Sequence, residues 1–141
     1  MSYKINYQYL LSYLGFIPYI IVIIDKYFFY LINEDIYKNF LVYYTILIIV
    51  FIGAINWNLK KQIGIFIALY GFIPSLFSTI VLILNQYNFS FYTQFLLLII
   101  FMLIQLTCDR FIVYSKYTNI FYHLRLPLTL GISLSLIFTL M

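Results

Sequence analysis

The feature that most constrains this chain is its long apolar runs, which are barely interrupted. A helix needs ~20 apolar residues to cross the hydrocarbon core of a bilayer, and five segments reach or approach that length: 7–24, 36–58, 62–84, 91–113 and 119–141. The 141 residues are 65% hydrophobic and 9% charged, whereas a soluble domain carries ~25% charged residues. Such a chain cannot cover a soluble surface, so the bilayer is its expected solvent. No stretch of soluble composition is left over. The prediction is an all-α, polytopic transmembrane helical bundle of five spans, forming a single membrane domain over 1–141.

Several boundaries need an argument. Asp25 and Lys26 interrupt the first run, and the charges favour reading 27–32 as a short interfacial helix. Asp35 is the expected N-cap of the second span. A short connection through Lys60 and Lys61 makes spans two and three antiparallel neighbours, and the polar turn 85–90 does the same for three and four. For the last span, Asn119 as N-cap gives enough length but places His123 and Arg125 in the first turns and Pro127 inside, with a local kink there. Lys4 precedes an apolar run with no small-residue cleavage site after it, which predicts an uncleaved first span. Lysine and arginine bias sets orientation. Lys4, Lys60, Lys61, Arg110, Lys116 and Arg125 fall on one side, Lys26 and Lys38 on the other. The N-terminus is therefore expected inside and the C-terminus outside, in a bacterial inner membrane. Gly15-Phe16-Ile17-Pro18 recurs as Gly71-Phe72-Ile73-Pro74, the pattern of a parallel repeat pairing spans one and two with three and four.

Span three carries small residues at steps of four and three: Gly64, Ala68, Gly71, Ser75 and Ser78. That spacing keeps them on one face, and small residues let membrane helices approach closely. This predicts a helix-packing face and places span three at the centre of the bundle. Gly131, Ser135 and Thr139 repeat the theme in span five. The dense ionisable group is Asp109, Arg110, His123 and Arg125. Charge within a span defaults to a functional hypothesis. A carboxylate near a helix C-terminus and a guanidinium near an N-terminus both oppose their helix dipoles, and a pair between Asp109 and Arg125 relieves both. The readings are a structural clasp between spans four and five, or an anion, lipid-headgroup or proton site.

His123 and Cys108 fall short of a zinc ligand set, so no metal is expected. No nucleophile motif or phosphate loop is present, so no catalytic residue and no cofactor is assigned. No basic cluster exceeds two residues, which excludes a nucleic-acid partner.

The stretch Phe51-Ile52-Gly53-Ala54-Ile55-Asn56-Trp57 resembles the Phe-Leu-Gly-Gly-x-x-Trp-Gly motif of a domain-of-unknown-function family that includes transmembrane protein 69. Leu14-Gly15-Phe16-Ile17-Pro18, Pro74-Ser75-Leu76, Asp109 after Gln105, and Tyr122 to Thr129 fall in the family's order. Ala54 and Asn58 stand where the family tends to have glycine. The resemblance covers nearly the whole chain and implies a small polytopic protein of bacterial inner membranes, with mitochondrial relatives and no established activity. In that motif Gly53 and Ala54 are expected as a close-contact point, Asn56 as an inter-helix hydrogen bond with Gln105 as candidate partner, and Trp57 as an interfacial anchor. The expected function is non-enzymatic, through packing with the lipid bilayer or other membrane proteins. The alternative is a small transporter or channel component using Asp109, His123 and Arg125.

Overall fold

A computed structural model describes residues 7–55, 64–113 and 118–141. No strand occurs among them, and five helices are long and apolar enough to cross a membrane: Leu10–Phe29, Glu34–Ala54, Ile65–Gln86, Phe91–Phe111 and Thr118–Leu140.

The first span is built from α1 (Tyr7–Leu14) and α2 (Ile17–Ile24), separated at Gly15 and Phe16. Pro18 has no N–H to return to the Leu14 carbonyl, so the helix breaks there. The Gly15 carbonyl is taken by the Tyr44 hydroxyl at 2.8 Å. Residues 27–32 do not form a separate interfacial helix. The first helix runs on through Asp25 and Lys26 in a π-turn, Asp25–Phe29, closed by Tyr30 N–H donating to the Asp25 carbonyl at 2.7 Å. Both charges find partners in this position. The Asp25 carboxylate is buried and accepts the N–H groups of Leu31 and Ile32 at 3.2 and 3.0 Å, closing the turn that leaves the helix. Lys26 Nζ donates to the carbonyls of Phe138 and Thr139 at 3.2 and 2.8 Å.

The second span is α3 (Glu34–Ala54). Its N-cap is Asn33 and not Asp35: the Asn33 side chain accepts Asp35 N–H at 2.9 Å. Asp35 and Glu34 instead place negative charge in the first turn, where the helix dipole favours it. The third span, α4 (Ile65–Gln86), holds Pro74 inside an unbroken helix. The two Gly-Phe-Ile-Pro motifs thus differ in effect, the first breaking its helix and the second not. The turn after α4 reverses through Asn88 in the left-handed region (φ 55°), and Ser90 caps α5 (Phe91–Cys108). A π-turn, Asp109–Val113, extends α5. The last span joins α6 (Thr118–Ile120), a π-turn Phe121–Arg125 and α7 (Leu126–Leu140) in one helix. Asn119 lies within it and is not its cap. Pro127 cannot bond the His123 carbonyl four residues back; that carbonyl accepts the Tyr13 hydroxyl instead.

The core gathers Tyr19, Leu41, Val42, Ile49, Val81, Phe95, Leu98, Met102, Ile132 and Leu136. α3, not α4, occupies the centre. It packs against α4, α5 and α7, and touches α2 through a buried hydrogen bond of 2.8 Å between the Tyr19 and Thr45 hydroxyls. α3 is also more deeply buried than α4. The small stripe on α4 gives it one close neighbour and not a ring of them. At the close approach, a Cβ on Gly53 would lie 2.7 Å from Pro74 Cγ and 3.1 Å from the Gly71 carbonyl oxygen.

Candidate functional site

Asp109 and Arg125 meet where α5 ends and the last span begins. Each lies in a π-turn, a distortion that often marks functional positions in helices. Both are buried, at 1% and 8% exposure. Arg125 Nε donates to Asp109 Oδ2, and the Tyr70 hydroxyl donates to Asp109 Oδ1. Both carboxylate oxygens are therefore engaged, and a neutral three-residue unit ties α4, α5 and the last span together. In an apolar interior the pair survives only because the remaining lone pairs are satisfied. Tyr70 supplies that satisfaction, and nothing in the sequence singled it out from 16 tyrosines. The available signal was position: Tyr70, Pro74 and Ser78 follow at helical spacing beside Gly71, and all four are buried.

Arg110 and His123 do not join this unit. The Arg110 guanidinium lies over the rings of Phe121 and Tyr122, 5.8 Å from each centroid. His123 is exposed and contributes its backbone carbonyl. Cys108 is half-buried. Among the described residues no three His, Cys, Asp or Glu side chains gather where a metal ion could be held.

Several buried polar atoms near the pair have no hydrogen-bond partner among the described residues: Arg125 Nη2, Gln105 Oε1, Thr129 Oγ1 and, further along, Ser133 Oγ and Ser78 Oγ. Gln105 precedes Asp109 by one turn and Thr129 follows Arg125 by one turn, so both stand ~6 Å deeper in the bundle. Gln105 Nε2 donates to the Ile49 carbonyl at 3.2 Å.

Asp109 and Arg125 also form one end of a cavity of about 690 Å³ between the first, second and last spans. Its walls are mainly apolar, with Phe16, Ile48, Leu128 and Ile132 toward the middle of the helices. Leu11, Leu47, Phe51 and Ile55 line it and are still 61–66% exposed. The cavity therefore opens through the side of the bundle, between spans one and two. Ligand cavities span ~300–1,000 Å³ and are mostly apolar with a few placed polar groups, and this one has that character.

Of the other sequence-singled residues, Gly71 and Ser78 are buried against neighbours, Ala68 and Ser75 are half-buried, and Gly64 is an exposed N-cap with nothing within 4 Å of an added Cβ. Gly64 thus lies outside the packing face. Gly53 is buried against α4, while Ala54 is exposed and lines the cavity. Asn56 and Trp57 lie outside the described residues.

The family profile described as Protein of unknown function (DUF3429) matches residues 6–141. No curated protein and no solved structure matches the chain.

Proposed function

The chain belongs to the DUF3429 family of proteins of unknown function, and on that premise we propose that it is a non-enzymatic, multi-pass integral membrane protein that holds membrane lipid within its bundle. The observation that carries this reading is the sideways-opening apolar cavity that ends on the Asp109–Arg125 pair. A cavity reached through the lipid-facing side of a bundle draws its occupant from the bilayer and not from water. The exposed surface supports the same environment: Leu10, Ile21, Leu47, Phe66, Ile80 and Ile104 are all turned outward, which water would penalise and hydrocarbon does not. The bias of lysine and arginine supports an orientation with the Asp109 end on the cytoplasmic side, and the expected setting is a bacterial inner membrane. The order of the Gly53–Trp57, Pro74, Asp109 and Arg125 motifs supports kinship with transmembrane protein 69.

Purification in mild detergent followed by native mass spectrometry tests the proposal. A lipid retained at a fixed stoichiometry is the expected result. A stoichiometric partner protein with an empty bundle would replace it with a scaffolding role. A reporter fused at Met141 should report an external C-terminus, and a cytoplasmic signal there refutes the orientation.

The second reading, a small transporter or channel component, is favoured by the unpartnered buried polar atoms of Gln105, Thr129, Ser133 and Ser78 on the three helices that carry the unit. Against it, Val81, Phe95, Leu98 and Met102 are wholly buried along the same helices, a packed core where an open path would run.

A further inference from the structure

Arg110 sits in the π-turn Asp109–Val113, next to the buried pair in sequence but outside the unit it forms. Its guanidinium lies 5.8 Å from the ring centroids of both Phe121 and Tyr122, whose planes meet edge to face at 85°. An aromatic ring attracts a cation but does not neutralise it, and a guanidinium keeps N–H donors that need oxygen acceptors. Among the described residues the two rings are the partners Arg110 has, and neither supplies such an acceptor.

The chain has no carboxylate to spare for it. Its four are Asp25, Glu34, Asp35 and Asp109. Asp109 has both oxygens engaged by Arg125 and Tyr70. Asp25 accepts the N–H groups of Leu31 and Ile32, and Glu34 pairs with Lys38. Asp25, Glu34 and Asp35 also stand at the opposite end of the spans. Lys38, one turn after Glu34, lies 5.7 Å from the ring of Phe91 at the start of α5, whereas Arg110 follows its end. At the rise of an α-helix, α5 holds those two ends roughly 30 Å apart. Arg110 is half-buried, so an anion from outside can reach it.

The surroundings decide which anion that is. Phe111 and Tyr122 flank Arg110 in sequence and in space respectively, and are 78% and 53% exposed. Exposed aromatic rings beside an arginine at the end of an apolar span mark headgroup depth. Phosphate oxygens are the anionic acceptors at that depth, and the planar fork of arginine matches them bidentately. A guanidinium already held by two rings loses less side-chain freedom on binding. A zwitterionic head brings its own cation to compete for the phosphate, while an anionic head brings the net charge that Arg110 lacks.

We infer that Arg110, held against Phe121 and Tyr122, binds the phosphate of an anionic phospholipid where spans four and five meet the headgroup layer. The site is separate from the cavity, which Arg110 does not line, and it shares with the reading above only the bilayer setting.

The test offers the full-length protein in neutral detergent micelles phosphatidylglycerol and phosphatidylcholine with identical chains, and reads the retained lipid by native mass spectrometry. Phosphatidylglycerol should be kept over phosphatidylcholine by at least about tenfold, the scale of one hydrogen bond to a charged group. Arg110→Met should bring the two lipids level. Arg110→Lys keeps the charge without the fork and should retain part of the preference, which keeps the test decisive if Arg110→Met folds poorly. Tyr122→Leu, at an exposed position, should weaken the preference. Leu128→Trp, which fills the cavity, should leave it unchanged; a preference lost with that variant would place the phosphate at the cavity and refute the Arg110 site. Equal retention of both lipids by the parent also refutes it. So does a preference that survives in Arg110→Met, which would then come from the chain's net charge of +4. Inorganic phosphate that displaces phosphatidylglycerol at equal concentration would make this a site for the free ion and refute the headgroup.

Discussion

Replacing Gly53 with alanine adds one methyl group at the tightest point between α3 and α4. The added Cβ would sit 2.7 Å from Pro74 Cγ, 3.2 Å from Pro74 Cβ and 3.1 Å from the Gly71 carbonyl oxygen, where ordinary contact begins at 3.4 Å. Neither neighbour can swing away. Pro74 is a ring fixed to the backbone, and the Gly71 oxygen is the backbone itself, so the two helices must part. Overpacking of this kind costs ~1–3 kcal/mol. Contact at 2.7 Å with a fixed ring calls for the upper part of that range, ~2–3 kcal/mol; less the ~1 kcal/mol that alanine gains over glycine in a helix interior, the net loss is about 1–2 kcal/mol, or a few degrees in melting temperature. Gly131→Ala is the internal comparison. Its Cβ would meet Phe16 Cε2 and Cζ at 3.3 and 3.4 Å, the edge of a ring that can tilt, so the helix gain dominates and stability should be unchanged or slightly raised. Thermal unfolding of both variants in the same detergent, followed by circular dichroism or fusion-protein fluorescence, reads the difference. If Gly53→Ala melts at or above the parent, α3 and α4 do not meet at Gly53, Gly71 and Pro74, and the packing argument fails.

Four further outcomes follow from the site and its surroundings. Asp109→Asn leaves the Arg125 charge buried without its partner and should lower stability by ~3–5 kcal/mol, seen as lost abundance. The exchange Asp109→Arg with Arg125→Asp should restore only part of it, because the Tyr70 hydroxyl then faces a guanidinium; full restoration would show that Tyr70 is dispensable. Tyr70→Phe by itself removes one hydrogen bond to a charged acceptor and should cost ~1.5–3 kcal/mol, so an unchanged denaturation midpoint would remove Tyr70 from the unit. Lys26→Met should free the carbonyls of Phe138 and Thr139, accelerating amide exchange in the last turn of α7 at a cost of ~0.3–1 kcal/mol, and unchanged exchange there would refute the capping role.

Hydrophobic run length alone was enough to read five helices, because a helix satisfies its own backbone and its apolar length is a local property of the chain. Helix ends were less legible. Asp25 and Lys26 look like a stop signal in sequence, and only the fold supplies the Leu31 and Ile32 amides and the α7 carbonyls that let the helix pass through them. The centre of the bundle was misplaced for a related reason. A stripe of small residues shows that a helix approaches one neighbour closely, but not how many neighbours it has, and α3 holds the centre with larger side chains.

The meeting of Asp109 and Arg125 was legible because both oppose their own helix dipoles and lie on spans joined in sequence. Tyr70 was not, since its role depends on a rotation of α4 that periodicity leaves open. His123 and Arg110 share the sequence neighbourhood of the pair, yet the π-turns and the aromatic rings of Phe121 and Tyr122 direct them elsewhere. The cavity is wholly a tertiary property. Its walls join the first two spans to the last, with Asp109 from the fourth, and the space between them is set by how these helices pack. Composition and period determined that this chain forms apolar helices; which faces meet, and where they leave an opening on a buried arginine, was decided by packing between residues that no local pattern connects.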